Sequence, residues 1–333
     1  MSMVTVLGAG SWGTALSIHL AREGRTVRLW GRDPQLVECM SATRENPRYL
    51  PGAQLPPGVT ATSAIGPALD GADFVIVAVP SHGVRAVVRA AAPFIPRHAI
   101  VVSATKGLEL ETHARMSQLI ADETAARFPV VVLSGPSFAA EVARGLPAAL
   151  LAASSDPRAA ERVQEHFRGR GLRLYVSDDV AGVEIGGAIK NVIAIAAGAV
   201  DGLGLGHNAK AALITRGLAE ISRLASAEGG RRDTLAGLSG LGDLVVTCTG
   251  ELSRNRHVGV ELGRGRSLSD ILSGMHMVAE GVRTTGAALA LGARHGIELP
   301  IAAQMAEVLE GRTSPAEAVE ALMGRRQRAE VDG

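Results

Sequence analysis

The sequence predicts an α/β protein in two parts: a doubly wound, open parallel sheet over residues 1–179, then an all-helical domain over 180–333. Three observations carry this. Short apolar runs alternate with helical patterns through the first half, and the runs are continuous rather than alternating, as strands buried on both faces require. A glycine-rich turn, Gly8-Ala9-Gly10-Ser11-Trp12-Gly13, joins the first strand to the first helix. From about Val180 onward strand signals stop and Ala/Leu/Gly-rich helical patterns take over.

Taken in order, Met3–Leu7 reads as a buried strand that leads straight into the glycine turn and then into a helical pattern over 14–21. This is G-x-G-x-x-G with a strand before it and a helix after it, the fingerprint of a Rossmann-type dinucleotide-binding unit. Gly8 permits the tight turn, Gly10 lets a pyrophosphate approach the backbone, and Gly13 lets helix and strand pack closely. The helix N-terminus adds unpaired N–H groups and the positive end of a dipole. The second strand, Thr26–Trp30, ends where an adenosine ribose would lie, and Gly31-Arg32-Asp33 follows. An acid there favours a free 2′-hydroxyl and an arginine a 2′-phosphate. Asp33 before Pro34 reads as a helix N-cap, which leaves Arg32 as the cofactor contact and NADP(H) as an accepted cofactor. Apolar runs at 72–80, 99–104 and 130–133 give three more strands, and 148–153 and 172–176 extend the sheet. The charged segment 324–333 reads as a frayed tail.

In an open parallel sheet, ligands lie beyond the carboxyl ends of the strands. Three such ends carry polar residues: Ser81 and His82, then Thr105 and Lys106, then Ser134 to Ser137. Lys106 is expected to project into the cleft, with Ser137 and the Gly135 backbone nearby. The helical half contributes Lys190, set inside the apolar small-residue stretch 182–200. No polar stripe runs along that helix, so its ammonium must be paired or lose its proton readily, which suits a proton donor near neutral pH. The plainer reading is a lysine snorkelling from a helix edge. The stretch reads as too short and too interrupted to span a bilayer. Asp243, among glycines and apolar residues, needs a buried partner, and Lys190 is the candidate. Ser253-Arg254-Asn255-Arg256-His257 offers a hydroxyl, an amide and two guanidiniums suited to clasping a phosphate, or else is an ordinary charged helix start. Val278-Ala279-Glu280-Gly281-Val282 mixes an acid with flexible backbone.

Composition excludes several classes. A net charge of +1 with no basic block ahead of the tail argues against nucleic acid or an anionic membrane as partner. Aromatic residues are only 3%, so Ala, Val, Leu and Gly must fill the cores. Two cysteines, Cys39 and Cys248, form no disulfide framework, as expected of a reducing cytoplasm, and the N-terminus runs directly into a strand, with no signal peptide expected. The nine histidines have no ligand spacing, so no metal site is expected.

Together these residues resemble the bacterial type of NAD(P)-dependent glycerol-3-phosphate dehydrogenase. The similarity runs over GAGSWGTALS at 8–17, NPRYLPG at 46–52, ATKGLE at 104–109, SGPSFAAEVARGLP at 134–147, GGAIKNVIAIAAG at 186–198, GLGDLVVTCT at 240–249, SRNR at 253–256 and AEGVRT at 279–284. The resemblance implies a Rossmann domain, an all-helical domain, and interconversion of dihydroxyacetone phosphate with sn-glycerol 3-phosphate for phospholipid synthesis, using NADP(H) or NAD(H). It implies Lys190 as the proton-transfer residue, with Lys106 and Asp243 beside it. Substrate positions would be Lys106, Gly135, Ser137, Lys190, Asp243, Ser253, Arg254 and Asn255. Cofactor positions would be Gly8, Gly10, Ser11, Trp12, Gly13, Arg32, Tyr49, Lys106, Ala139, Arg254, Val278 and Glu280. A homodimer is the implied assembly. Two rivals are a β-keto acid reductase of the same shape, using Lys190 and Asn191, and a non-catalytic NADPH sensor.

Overall fold

The computed structural model of the chain describes residues 2–275, 277–327 and 329–330. Its strands are β1 (Met3–Leu7), β2 (Thr26–Trp30), β3 (Glu45–Asn46), β4 (Leu50–Gln54), β5 (Val59–Thr62), β6 (Phe74–Val77), β7 (Ile100–Ser103), β8 (Val130–Ser134), β9 (Ala148–Ala153) and β10 (Leu172–Ser177). Eight of them form one sheet in the order β10-β9-β8-β7-β6-β1-β2-β5. The register Leu7 to Val77 to Ser103 brings the carboxyl ends of β1, β6 and β7 to one edge, where the glycine turn and Lys106 follow.

Helices α1 (Ser11–Arg22), α2 (Pro34–Thr43), α3 (Ile65–Leu69), α4 (Val84–Ala91), α5 (Met116–Glu123), α6 (Ala139–Arg144) and α7 (Pro157–Phe167) cover the sheet. Alternate residues of each central strand go to opposite cores. Val4, Val6, Phe74 and Ile76 pack with α1, α2, α6 and α7, whereas Leu7, Val75 and Val77 pack with α4 and α5. Both faces are therefore dry, which is why the strand sequences run continuously apolar.

Two departures from the sequence reading concern the sheet. β9 runs antiparallel to β8, so the sheet is mixed rather than wholly parallel. A hairpin of β3 and β4 and the edge strand β5 also occupy the segment 45–62, where no strand was expected.

The second half is helical: α8 (Val180–Gly202), α9 (Gly206–Ala227), α10 (Arg232–Ala236), a π-helical turn Leu238–Gly242, α11 (Asp243–Thr249), α12 (Arg254–Gly263), α13 (Leu268–Ser273), α14 (Glu280–Arg294), α15 (Pro300–Leu309) and α16 (Pro315–Met323). α8 is the axis of this half: α9, α10, α11, α12, α14 and α15 pack directly on it. It starts at Asp179, whose side chain accepts from the Gly182 N–H at 2.8 Å and from the Arg231 N–H at 2.8 Å. At 23 residues it is long and apolar enough to cross a membrane, contrary to the expectation that it was too short. What identifies it as a core helix is burial: 89% of its apolar window lies inside the protein. α12 crosses it in backbone contact. A Cβ on Gly259 would lie 1.9 Å from the Ile195 carbonyl oxygen, and one on Gly198 would lie 2.0 Å from that of Arg256. This approach, open only to glycine, carries the start of α12 to the side of Lys190.

Candidate active site

The glycine turn has the shape its spacing implies. Gly8 has φ +125°, and a Cβ there would lie 2.6 Å from the Ala78 carbonyl oxygen. A Cβ on Gly13 would lie 1.9 Å from the Gly8 carbonyl oxygen, so that position is closed by packing. Gly10 is different: its missing side chain faces open space. α1 then begins without a side-chain cap and without an acid in its first turn, which leaves its first N–H groups available to an anion. The indole N–H of Trp12 is buried with no partner among the described residues. An open cradle, uncapped amides and an unpartnered donor fit a dinucleotide pyrophosphate.

Around this turn, Ser11 donates through Oγ to the Tyr49 carbonyl at 2.7 Å and to Met277 Sδ at 3.0 Å. The segment before α14 thereby reaches the glycine turn, with half-buried Val278 next in the chain. Glu280 at the start of α14 accepts from Ser81, from its N–H at 3.2 Å and its hydroxyl at 2.7 Å. At the end of β2, Asp33 caps α2, accepting from the Gln35 and Leu36 N–H groups, and pairs with Arg48 at 2.8 Å. Arg32 is exposed and carries no hydrogen bond among the described residues. Ala139 opens α6 and packs on the core of the first half. No described hydrogen bond joins Arg32, Ala139 or Val278 to the lysines below.

At the centre, Asp243 is 1% exposed and bridges two ammonium groups. Lys190 Nζ donates to Oδ1 at 2.6 Å, and Lys106 Nζ donates to Oδ2 at 2.7 Å. Lys106 also donates to the Gly135 carbonyl at 2.7 Å and reaches Ser137 Oγ at 3.5 Å. Lys190 has a second partner that sequence reading missed, Thr247 Oγ1 at 2.7 Å. The signal was present: Thr247 follows Asp243 by four residues and so shares its face of α11. Burial draws the Lys190 pKa down to about 8, with Lys106 adding to the fall and Asp243 opposing it. Snorkelling is thus excluded for Lys190, and the aspartate serves both lysines rather than one.

The polar start of α12 differs from a four-group clasp. Ser253 caps the helix by accepting from the Arg256 N–H at 3.2 Å. Asn255 donates to Asn191 at 2.9 Å and accepts from the Gly281 N–H at 2.9 Å. Arg256 turns away to Asp201, at 2.7 Å, beside Lys210 at 2.5 Å from the same acid. Arg254 alone has no hydrogen-bond or ion-pair partner among the described residues. Its side chain is solvent-accessible, yet enough protein surrounds the guanidinium for desolvation to lower its pKa, with Glu280 opposing.

Comparison with known proteins gives the same reading from a separate direction. The model of the NAD-dependent glycerol-3-phosphate dehydrogenase N-terminus matches residues 3–160, and that of the C-terminus of the same enzyme matches 179–320. A glycerol-3-phosphate dehydrogenase [NAD(P)+] from Thioalkalivibrio sulfidiphilus is 53% identical over 327 residues, covering 98% of each chain. One from Koribacter versatilis is 52% identical over 335 residues, covering 99% of each chain. A crystal structure of glycerol-3-phosphate dehydrogenase from Coxiella burnetii superposes with a TM-score of 0.94 at 40% identity, over 97% of this chain and 99% of that one. Because these likenesses span both halves, including the helical one that supplies Lys190, Asp243 and Arg254, the chain belongs to the NAD-dependent glycerol-3-phosphate dehydrogenase family.

Proposed function

We infer that the chain is a glycerol-3-phosphate dehydrogenase [NAD(P)+], interconverting dihydroxyacetone phosphate and sn-glycerol 3-phosphate for glycerophospholipid synthesis. The observation that carries this reading is the pair of ammonium groups on one buried carboxylate, 2.6 and 2.7 Å from its two oxygens, beside a turn shaped for a pyrophosphate. When bound, the reduced nicotinamide supplies the hydride. Reduction of the ketone builds negative charge on its oxygen, and two ammonium groups already fixed in place stabilise that charge without reorganising. We assign the proton to Lys190, whose lowered pKa lets it serve as acid in one direction and base in the other. Asp243 orients both lysines, and Thr247 fixes the Lys190 Nζ.

We assign the substrate phosphate to Arg254. Ser253 and Asn255 are committed to holding the first turn of α12, which leaves the Arg254 guanidinium and the adjacent helix N–H groups free to meet an anion. Gly135 and Ser137 then complete the substrate side next to Lys106. On the cofactor side we place Gly8, Gly10, Ser11, Trp12, Gly13, Arg32, Tyr49, Lys106, Ala139, Arg254, Val278 and Glu280. We draw the domain boundary between residues 179 and 180, after the end of β10 and at the start of α8. The cytoplasm, as the compartment that suits two free cysteines, and a homodimer, carried over from the resemblance, complete the proposal.

The test is turnover with and without the phosphate. Dihydroxyacetone phosphate should oxidise NADPH rapidly, and dihydroxyacetone hardly at all. Arg254→Ala should raise KM for the phosphorylated substrate by about ten- to a hundredfold, the loss of one charge-assisted contact. It should change little with dihydroxyacetone. Equal losses on both substrates would place Arg254 elsewhere, and a β-keto acid turned over in preference would overturn the substrate assignment.

A further inference from the structure

Lys106 and Lys190 come from different halves of the chain, so their common hold on Asp243 needs the segment that carries Lys106 to be fixed to α8. That segment closes on itself: Leu108 and Arg115 form an isolated antiparallel bridge, and the Glu109 N–H donates to the Ala114 carbonyl at 3.0 Å. Both ends of this loop dock on α8. Leu108, 1% exposed, belongs to the apolar core of the helical half with Ile185 and Ile189. Arg115 Nη1 donates to Glu184 Oε2 at 2.7 Å. Ser117 meets the same carboxylate twice, through its N–H at 2.7 Å and its hydroxyl at 2.6 Å.

Glu184, Gly187 and Lys190 recur every three residues and share one side of α8. Between the carboxylate and the proton donor, the stem of Lys106 packs over Gly187: a Cβ there would lie 3.6 Å from Lys106 Cγ, an ordinary contact, and 2.9 Å from Ser134 Oγ, too close for a side chain without a shift. Glu184 touches no reacting group, yet its side chain is only 3% exposed. A buried ion pair is a weak source of stability compared with an apolar pair of similar volume. It does fix geometry, because each charge is tied to a directional partner.

We propose that Glu184 and Arg115 are positioning residues whose ion pair pins the 104–115 segment to α8 and so sets the separation of Lys106 and Lys190 across Asp243. This rests on the reading of those two lysines as the ammonium groups of the reaction.

The test is a double-mutant cycle on the intact enzyme, with folding followed by circular dichroism and NADPH binding measured on each variant. Glu184→Gln should lower kcat for dihydroxyacetone phosphate by about tenfold in the wild-type background, but by under about twofold when Lys106 is already methionine, since a missing lysine cannot be displaced. Arg115→Lys, which keeps a donor for Glu184, should retain several-fold more kcat than Arg115→Met. Equal fold losses in both backgrounds, or a folded Glu184→Gln with wild-type kcat, would overturn the proposal. If Glu184→Gln does not fold, Ser117→Ala removes one donor only and gives the same cycle at smaller amplitude. Wild-type turnover is measured first: its absence refutes the dehydrogenase reading, whereas additive losses in an active enzyme refute only the positioning role.

Discussion

Lys190 sits where two large effects oppose each other. Burial disfavours its charge and Asp243 favours it; burial wins by enough to bring the pKa down from 10.5 to about 8. The two directions of the reaction should therefore respond oppositely to pH. Ketone reduction needs the ammonium, so kcat/KM should fall as pH rises through about 8; for alcohol oxidation, which needs the free amine, kcat/KM should rise over the same range. Rate–pH profiles in both directions check this, and limbs of the same sign would remove Lys190 from proton transfer. We propose Arg32 as the residue that tunes cofactor choice. Exposed and without a hydrogen bond to the described residues, it can meet a 2′-phosphate or lie on the adenine. Because exposed charge contacts are weak, Arg32→Ala should favour NADH over NADPH by only about fivefold to tenfold, less at high salt. Parallel changes in both KM values would leave only stacking. At this scale the sequence was most legible where one residue type breaks a pattern, as with a lysine in an apolar helix or an aspartate among glycines. Thr247 and Glu184 escaped notice because a threonine and a glutamate are ordinary in a helix until their partners are known, and those partners are distant in sequence.

At the scale of elements, strands buried on both faces announced themselves, and β1 and β2 lie where the apolar runs predicted them. The reversal of β9 could not be read, since residue patterns carry no strand direction. β3, β4 and β5 were hidden by the prolines and glycines of segment 45–62, which read as loop. The helix contacts depend on similar unseen pairings. Glu220 in α9 illustrates one: its carboxylate accepts from the Ile301 N–H at 2.7 Å and caps the start of α15. Burial nevertheless raises its pKa from 4.5 to about 7. A folded-state pKa above the unfolded one stabilises the fold below the unfolded value, and the benefit is lost as pH rises through about 7. Glu220→Gln keeps the acceptor and removes the charge. It should match wild type near pH 4.5 and exceed it by about 1–3 kcal/mol at pH 8, read from urea unfolding at the two pH values. A variant that is less stable at pH 8 would show that the carboxylate charge is what holds α15.

For the molecule as a whole, the site we propose lies in neither half alone. The sheet supplies the glycine turn, Lys106 and the Gly135 carbonyl, while the helices supply Lys190, Asp243, Thr247 and Arg254. The glycines of α8 and α12 let the helical half close on its own axis, and Glu280, Met277 and Arg115 tie it to the sheet. At this junction we place a dehydrogenase site in which Lys190 moves the proton. It is tested most directly by NADPH oxidation with dihydroxyacetone phosphate in wild type and Lys190→Ala, with NADPH affinity measured on the same samples. Wild type should turn over, and the variant should bind NADPH normally while losing about a hundredfold or more in kcat. Lys190→Arg should not restore it, because a guanidinium does not give up its proton. A wild-type enzyme inert toward dihydroxyacetone phosphate would overturn the dehydrogenase reading, and a Lys190→Ala variant with near wild-type kcat would remove Lys190 from proton transfer.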